Sequence, residues 1–337
     1  MSRPIDIDVT YEEYVEREGL AQLARRPAVQ LIDTGLEQIP LFTPGGIRET
    51  SSGTVVLYKP NDAMRVIHQR ANDMIYPPID GFFSGYTGNA VGLARAGCKY
   101  IYEIDLLDAY GSVRPEHIAL RCMPYYVDCS SYSFGDTEAL VRDMLQKYFF
   151  MLNGGLVQGG PASPRLFELA ARHRLDWDLN GLLNQWRANN NTAGRAQYYR
   201  YADNLVLGTK DQPLTGDQKR QIREVIRAAG FTINPKKTRS IVLRKQSVTV
   251  CGVGMRMASG GVKVFMPRSQ LRRLEGMLHL VNTGRAVDMN QVHGLMGVFF
   301  QTTNPKRMNA TERRVLAAYR KFQKEKNVWQ KSSRPIF

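Results

Sequence analysis

Apolar positions along the chain follow two rhythms. Spacings of three and four, the period of a helix with one buried stripe, mark 9–27, 60–76, 137–152, 165–186 and 215–230. The same period marks the last stretch, from "SQLRRLEGMLHLV" to "ERRVLAAYRKFQKEKNVW". Start and stop signals agree with it. Thr10 precedes Glu13 at capping-box spacing, Asn61 or Asp62 caps the second helix, and Thr215 and Gly230 bracket another. "RPEHIAL" is expected to open a further helix, with Pro115 in its first turn. Between these lie short β-rich runs: "TVVLYKP", "KYIYEIDLL", both flanks of Asp203, several stretches of 231–257, and "GVKVFMP". In the second run Tyr100, Tyr102 and Ile104 share one face, and Ile101, Glu103 and Asp105 the other. Two glycine-rich loops, "GFFSGYTGNAVGLARAG" and "NGGLVQGGPASP", punctuate the pattern. The expected class is α+β.

Composition narrows the picture. With 337 residues, 43% of them hydrophobic, the chain can bury a sizeable core in two or three subdomains. Lys and Arg number 46 against 31 Asp and Glu, a formal net charge of +15, which points to a polyanion, most often nucleic acid. Cys98, Cys122, Cys129 and Cys251 form no CxxC pair and the histidines are scattered, which speaks against a zinc site or disulfide framework. No apolar run reaches the ~20 residues that span a bilayer. The acidic start, "MSRPIDIDVTYEEYVEREGL", lacks a signal-peptide core, so a cytoplasmic protein without a membrane role is expected.

Two acids stand out. Asp105 and Asp203 each end an apolar β-rich run, where a carboxylate is costly to bury without a cation. Taken singly, each is as readily a turn residue. If the two strands are neighbours, their tips form an oxygen site suited to Mg2+. A glycine loop, the "PKK" segment and a basic tail are then the other parts that two-metal phosphoryl transfer uses. Asn204 follows Asp203 where such hairpins commonly carry a second acid.

In order along the chain, "GFFSGYTGNA", "YEIDLLDAYGSV", "GLVQGGPASPRLFELA", "YRYADNLVLG", "AAGFTINPKKTRSI" and "VTVCGVGM" resemble the fingers segment, successive palm motifs and primer-grip hairpin of reverse transcriptases. Within that family the chain resembles the compact prokaryotic enzymes of retrons, group II introns and related defence systems. The resemblance covers about 54–256. It implies a right-hand polymerase fold, with fingers, a palm of antiparallel sheet plus helices, and a helical thumb. The implied divisions are an N-terminal extension over 1–53, fingers over 54–99, palm over 100–256 with a fingers insertion near 114–150, and a basic helical thumb and tail over 257–337.

Residue roles follow from the resemblance. Asp105 and Asp203, with the Leu106 carbonyl and Asn204, would hold two Mg2+ ions, for which Mn2+ could substitute. Tyr110 falls at the aromatic position that rejects a ribose 2′-OH. Gln158, Gly159 and Gly160 would contact the incoming nucleotide. Lys236 or Lys237 would protonate the departing pyrophosphate, and Cys251 and Gly252 would grip the primer. Arg65 and Arg70 are candidates for triphosphate contact, although charged neighbours on their helix favour a solvated face. The implied activity is RNA-directed DNA synthesis from dNTPs on an RNA template with a DNA or RNA primer. The resemblance extends to enzymes that copy a dedicated non-coding RNA in phage defence, and such a template is an expectation. Two alternatives stay open: an RNA-dependent RNA polymerase on the same palm, which Tyr110 argues against, and an inactive RNA-binding scaffold, which Asn204 favours.

Overall fold

A computed structural model describes residues 33–50, 53–74, 86–119, 134–152, 154–189 and 195–332. The helix expected over 9–27, the start of the first glycine loop, Cys122 and Cys129 lie outside these residues. The described chain opens as an antiparallel hairpin, β1 (Phe42–Thr50) with β2 (Gly53–Pro60), which crosses the boundary expected at 53. The Asn61 side-chain oxygen then accepts the Met64 N–H at 2.9 Å and caps α1 (Asp62–Met74). α2 (Tyr86–Arg95), β3 (Tyr100–Leu107) and α3 (Phe134–Phe149) follow. α4 (Ser163–Ala171) and α5 (Trp177–Ala188) form a continuous rod through a π-helical turn over Arg172–Asp176, a widening that the 3.6-residue period over 165–186 does not reveal.

β4 (Gln197–Tyr201), β5 (Asn204–Thr209), α6 (Gly216–Ala228), β6 (Thr232–Ile233) and β7 (Arg239–Val242) complete the main sheet unit. Thr215 and Gln218 cap α6 reciprocally, at 3.3 and 2.8 Å. β8 (Val248–Val250), β9 (Val253–Ala258) and β10 (Gly261–Phe265) form a separate antiparallel sheet in the order β10-β9-β8. α7 (Arg268–Asn282), α8 (Met289–Thr302) and α9 (Ala310–Ser332) close the chain. The expected thumb boundary at 257 falls inside β9. Of the helix expected from "RPEHIAL", the described residues show a 3-10 turn, Pro115–His117, and Ala119 is helical where this described stretch ends. The Arg114 N–H donates to His117 Nδ1, and Ile118 departs from helical φ at −128°.

β3 organises the main sheet. β5 pairs antiparallel along one edge, and β4 lies beyond β5. The opposite edge is shared: β6 covers Leu106 and Leu107, and β7 covers Tyr100–Glu103. Both faces of β3 are buried. Tyr102, Ile104 and Leu106 pack with α1, α3, α4, α5 and α6. Ile101 packs on the other side with Ala90 and Leu93 of α2 and with Val250, Val253 and Met255 of the second sheet. A third cluster, built on Leu274, Leu278, Met296 and Phe299, joins the C-terminal helices.

His68 ties α1 to this core. The Ala162 N–H donates to Nδ1 at 3.0 Å, so the ring hydrogen sits on Nε2, which donates to the Tyr148 carbonyl at 2.9 Å. The Ala162 bond needs an unprotonated Nδ1, and burial lowers the ring's pKa from 6.5 to about 4 against the Tyr148 carbonyl, which favours the cation. The unfolded chain therefore takes up a proton below pH 6.5 that the folded chain refuses until about pH 4. Stability from this group is complete above pH 6.5 and falls as pH drops toward 4, by on the order of 3 kcal/mol. His117, lowered to about 4 by burial and then by Arg174, titrates in the same sense. Denaturant unfolding measured from pH 7 to 4 should show a shallower pH slope in His68→Gln than in the parent, by about one proton.

Candidate active site

The two aspartates meet because β3 and β5 pair in one register. Asp105 lies opposite Asn204, and the next step is a bond from the Leu106 N–H to the Asp203 carbonyl at 2.9 Å. Asp105 and Asn204 thus share a sheet face, in a pair without direct backbone bonds, where cross-strand side chains approach most closely. Asp203 occupies the two-residue turn between β4 and β5, with Tyr201 opposite Asn204. Ala202 takes φ +51°, a left-handed conformation that glycine adopts freely and alanine does not. An extended residue presents its N–H and C=O to the same edge, so the Leu106 carbonyl faces this turn.

Within the turn, the Asn204 amide donates to Asp203 Oδ1 at 3.0 Å. Burial raises the Asp203 pKa above the usual carboxylate value and the Asp105 carboxylate adds to the rise, while its own backbone N–H, Lys237 and the Asn204 amide oppose it.

The remaining contacts to Asp105 come from the shared edge. Between β6 and β7 the chain loops through "NPKK" opposite Ile104 and Asp105, where no strand pairs with β3. Asn234, buried, donates its backbone N–H to the Asp105 carbonyl at 2.8 Å and its amide to Asp105 Oδ2 at 3.1 Å. Its own side-chain oxygen accepts the Lys236 N–H, a local turn that aims the next residue back at the sheet. Lys237 Nζ reaches Asp105 Oδ2 at 3.3 Å. Of the two candidate lysines, the loop brings Lys237 to the acid, and Lys236 is exposed.

The nucleotide candidates Gln158, Gly159 and Gly160 lie on a loop tied to the turn that follows β3. The Leu156 N–H donates to the Tyr110 carbonyl at 2.9 Å, and Gln158 Nε2 reaches Asp108 Oδ1 at 3.3 Å. Gly159 has φ +104°, and a Cβ there would lie 2.3 Å from the Tyr58 carbonyl oxygen of β2, so the loop backbone rests on the hairpin. Gly160 is buried beside Ser163 and His68. The Tyr110 ring stacks on Phe167, centroids 5.0 Å apart, and its pKa is pushed up to about 12, first by burial and then by the Glu168 and Asp203 carboxylates.

Other candidates are placed differently. Arg65 pairs with Asp62 one turn away at 2.7 Å on an exposed face, as charged helix neighbours suggest, and Arg70 donates to the Asp33 carbonyl. Cys251 and Gly252, both at positive φ, form the two-residue turn between β8 and β9. The Cys251 side chain is buried in the second core cluster, so only this turn's backbone and Gly252 are offered outward.

Sequence reasoning missed the polar groups beneath the turn. Arg200 is buried and bonds Asp176, Glu168 and the Ala202 carbonyl, and Tyr198 OH donates to Asp176 at 2.6 Å. Alternation along β4 could have flagged Arg200, because it falls in phase with the inward-facing Tyr198. Asn234 was visible only as part of "NPKK".

No curated protein matches the chain. A family model described as reverse transcriptase (RNA-dependent DNA polymerase) matches residues 57–255, from β2 into β9. That span is more than half of the chain and contains the meeting strand tips, the glycine loop and the first hairpin turn of the second sheet. The chain therefore belongs to the reverse transcriptases and is an RNA-directed DNA polymerase, a nucleotidyltransferase on the right-hand polymerase fold.

Proposed function

We propose that Asp105 and Asp203 hold the divalent cations of this polymerase, with the Leu106 carbonyl and the Asn204 amide oxygen completing the donor set. The observation that carries the reading is the register that sets Asp105 opposite Asn204, one step from Asp203. The donors are all oxygens, as Mg2+ requires, but among the described residues no three His, Cys, Asp or Glu side chains gather. With two carboxylates and one amide the set fits Mg2+, with weaker affinity than a three-acid set. Lys237 on Asp105 supplies positive charge beside the acid. Bound Mg2+ supplies charge stabilisation for in-line displacement of pyrophosphate by the primer 3′-hydroxyl.

The chain's own groups supply the rest. Tyr110, steadied by Phe167, lies under the sugar and rejects a ribose 2′-OH. Gln158 and the Gly159–Gly160 backbone position the nucleotide. Lys237 donates a proton toward the leaving pyrophosphate. The hairpin turn at Cys251–Gly252 supports the primer end. Arg272, Arg273, Arg285, Lys306, Arg307, Arg313, Arg320 and Lys324, all exposed on the C-terminal helices and their connections, track the duplex backbone. The likeness to compact prokaryotic enzymes supports a dedicated non-coding RNA as template, with a role in phage defence in the cytoplasm, and RNA recovered with the purified protein tests that assignment. Among the described residues no helix is long and apolar enough to cross a membrane.

Asp203→Ala should lower primer extension by roughly a thousandfold or more, and robust extension by that variant would remove the assignment. Asn204→Asp should raise extension in Mg2+, and Mn2+ should partly restore the parent. If Asn204→Asp is as inactive as the parent in both metals, the scaffold reading gains. Tyr110→Ala should narrow the preference for dNTP over NTP, measured as the ratio of kcat/KM values. Binding to primer–template should weaken with salt, each neutralised phosphate contributing ~0.9 to the slope of log affinity against log salt, and a slope near zero would exclude the basic track.

A further inference from the structure

We propose that Arg200 is a positioning residue that sets the Asp203 turn and the Tyr110 ring with one side chain, held in place by Asp176 and Glu168. This rests on the reading of Asp203 and Tyr110 given above. The Arg200 side chain is 1% exposed, yet it lies one residue from the exposed Tyr201 and three from Asp203. Nε and Nη2 reach the two Asp176 oxygens at 2.8 and 2.7 Å. Nη1 and Nη2 reach the two Glu168 oxygens at 3.0 and 2.7 Å. Two carboxylates thus engage two sides of one planar fork, which fixes its plane as a single ion pair cannot.

From that fixed plane Nη1 also donates to the Ala202 carbonyl at 3.1 Å. That carbonyl belongs to the peptide that leads into Asp203, at the one residue of the turn with positive φ. A left-handed alanine persists only where its surroundings hold it, and the Arg200 bond is such a restraint. The same guanidinium carbon lies 5.7 Å from the Phe167 ring centre, and Phe167 carries Tyr110 stacked at 5.0 Å and 20°. Glu168 follows Phe167 directly on α4. Movement of the fork is therefore felt at the carboxylate and at the sugar platform together.

A purely structural reading accounts for this arrangement poorly. Arg200, Asp176 and Glu168 form a buried polar cluster, a costly filling for a core that apolar side chains would fill as stably. The cluster makes sense where orientation, rather than stability, is the return.

The test compares Glu168→Gln and Arg200→Lys with the parent in the full chain. Glu168→Gln keeps shape and one acceptor, and Arg200→Lys keeps the charge but loses the fork. Melting midpoints establish that each is folded. Each is then assayed for equilibrium binding of dATP and ATP on a dideoxy-terminated primer–template, and for extension of a normal primer. Both variants should lower kcat and narrow the dATP-over-ATP binding preference by roughly tenfold, and Glu168→Gln should narrow it no further in a Tyr110→Ala background. A structural role would lower folded protein and scale both nucleotides alike. If both variants fold and keep the parental preference while Tyr110→Ala loses it, the coupling is overturned and the reading of Tyr110 stands. If Tyr110→Ala itself keeps the preference, that reading falls and the proposal with it. If Arg200→Lys fails to fold, the preference in Glu168→Gln alone decides.

Discussion

The register of β3 against β5 is the constraint on which the rest of the molecule depends. A slip of one residue would turn every side chain of β3 to the opposite face. Both faces are buried, so the slip would exchange Tyr102, Ile104 and Leu106 of the helix-packed core with Ile101 and the two acids. Core packing on two sides thus sets where a carboxylate stands. The acid is placed by the apolar residues around it.

The second edge of β3 explains how a buried acid is tolerated. Between β6 and β7 the pairing with β3 is interrupted opposite Asp105. The break delivers an amide and an ammonium instead. Further along the same strand Arg239, on β7, holds the buried Glu103 at 2.7 Å and also donates to the Thr249 carbonyl of the second sheet. Each acid on this face of β3 has a cation contributed by the opposite strand or its loop. The second sheet is tied to the first by one of them.

Much of this was legible in the sequence because it is local. Helical period and caps found α1, α3, α6 and the C-terminal helices, and ordered motifs identified the family. What stayed hidden depends on pairs distant along the chain. Nothing near Arg200 names Glu168 or Asp176 as its partners, and nothing near Asp105 names Asn234. The π turn was hidden for another reason: one widened turn barely disturbs an apolar stripe read over twenty residues.

That π turn sets a limit on how the chain can change in length. Deleting a single residue from Arg172–Asp176 would leave an ordinary α-helix with every backbone bond available, so the local energy would scarcely object. The downstream half would nevertheless turn by about 100° about its axis. Leu179, Leu183 and Trp186 would swing out of the main core. The segment is therefore a phase-setter between two halves of one rod. Its length is fixed by the packing at its two ends, and its residue identities are constrained at Leu175, buried in the main core, and at the acid that closes it.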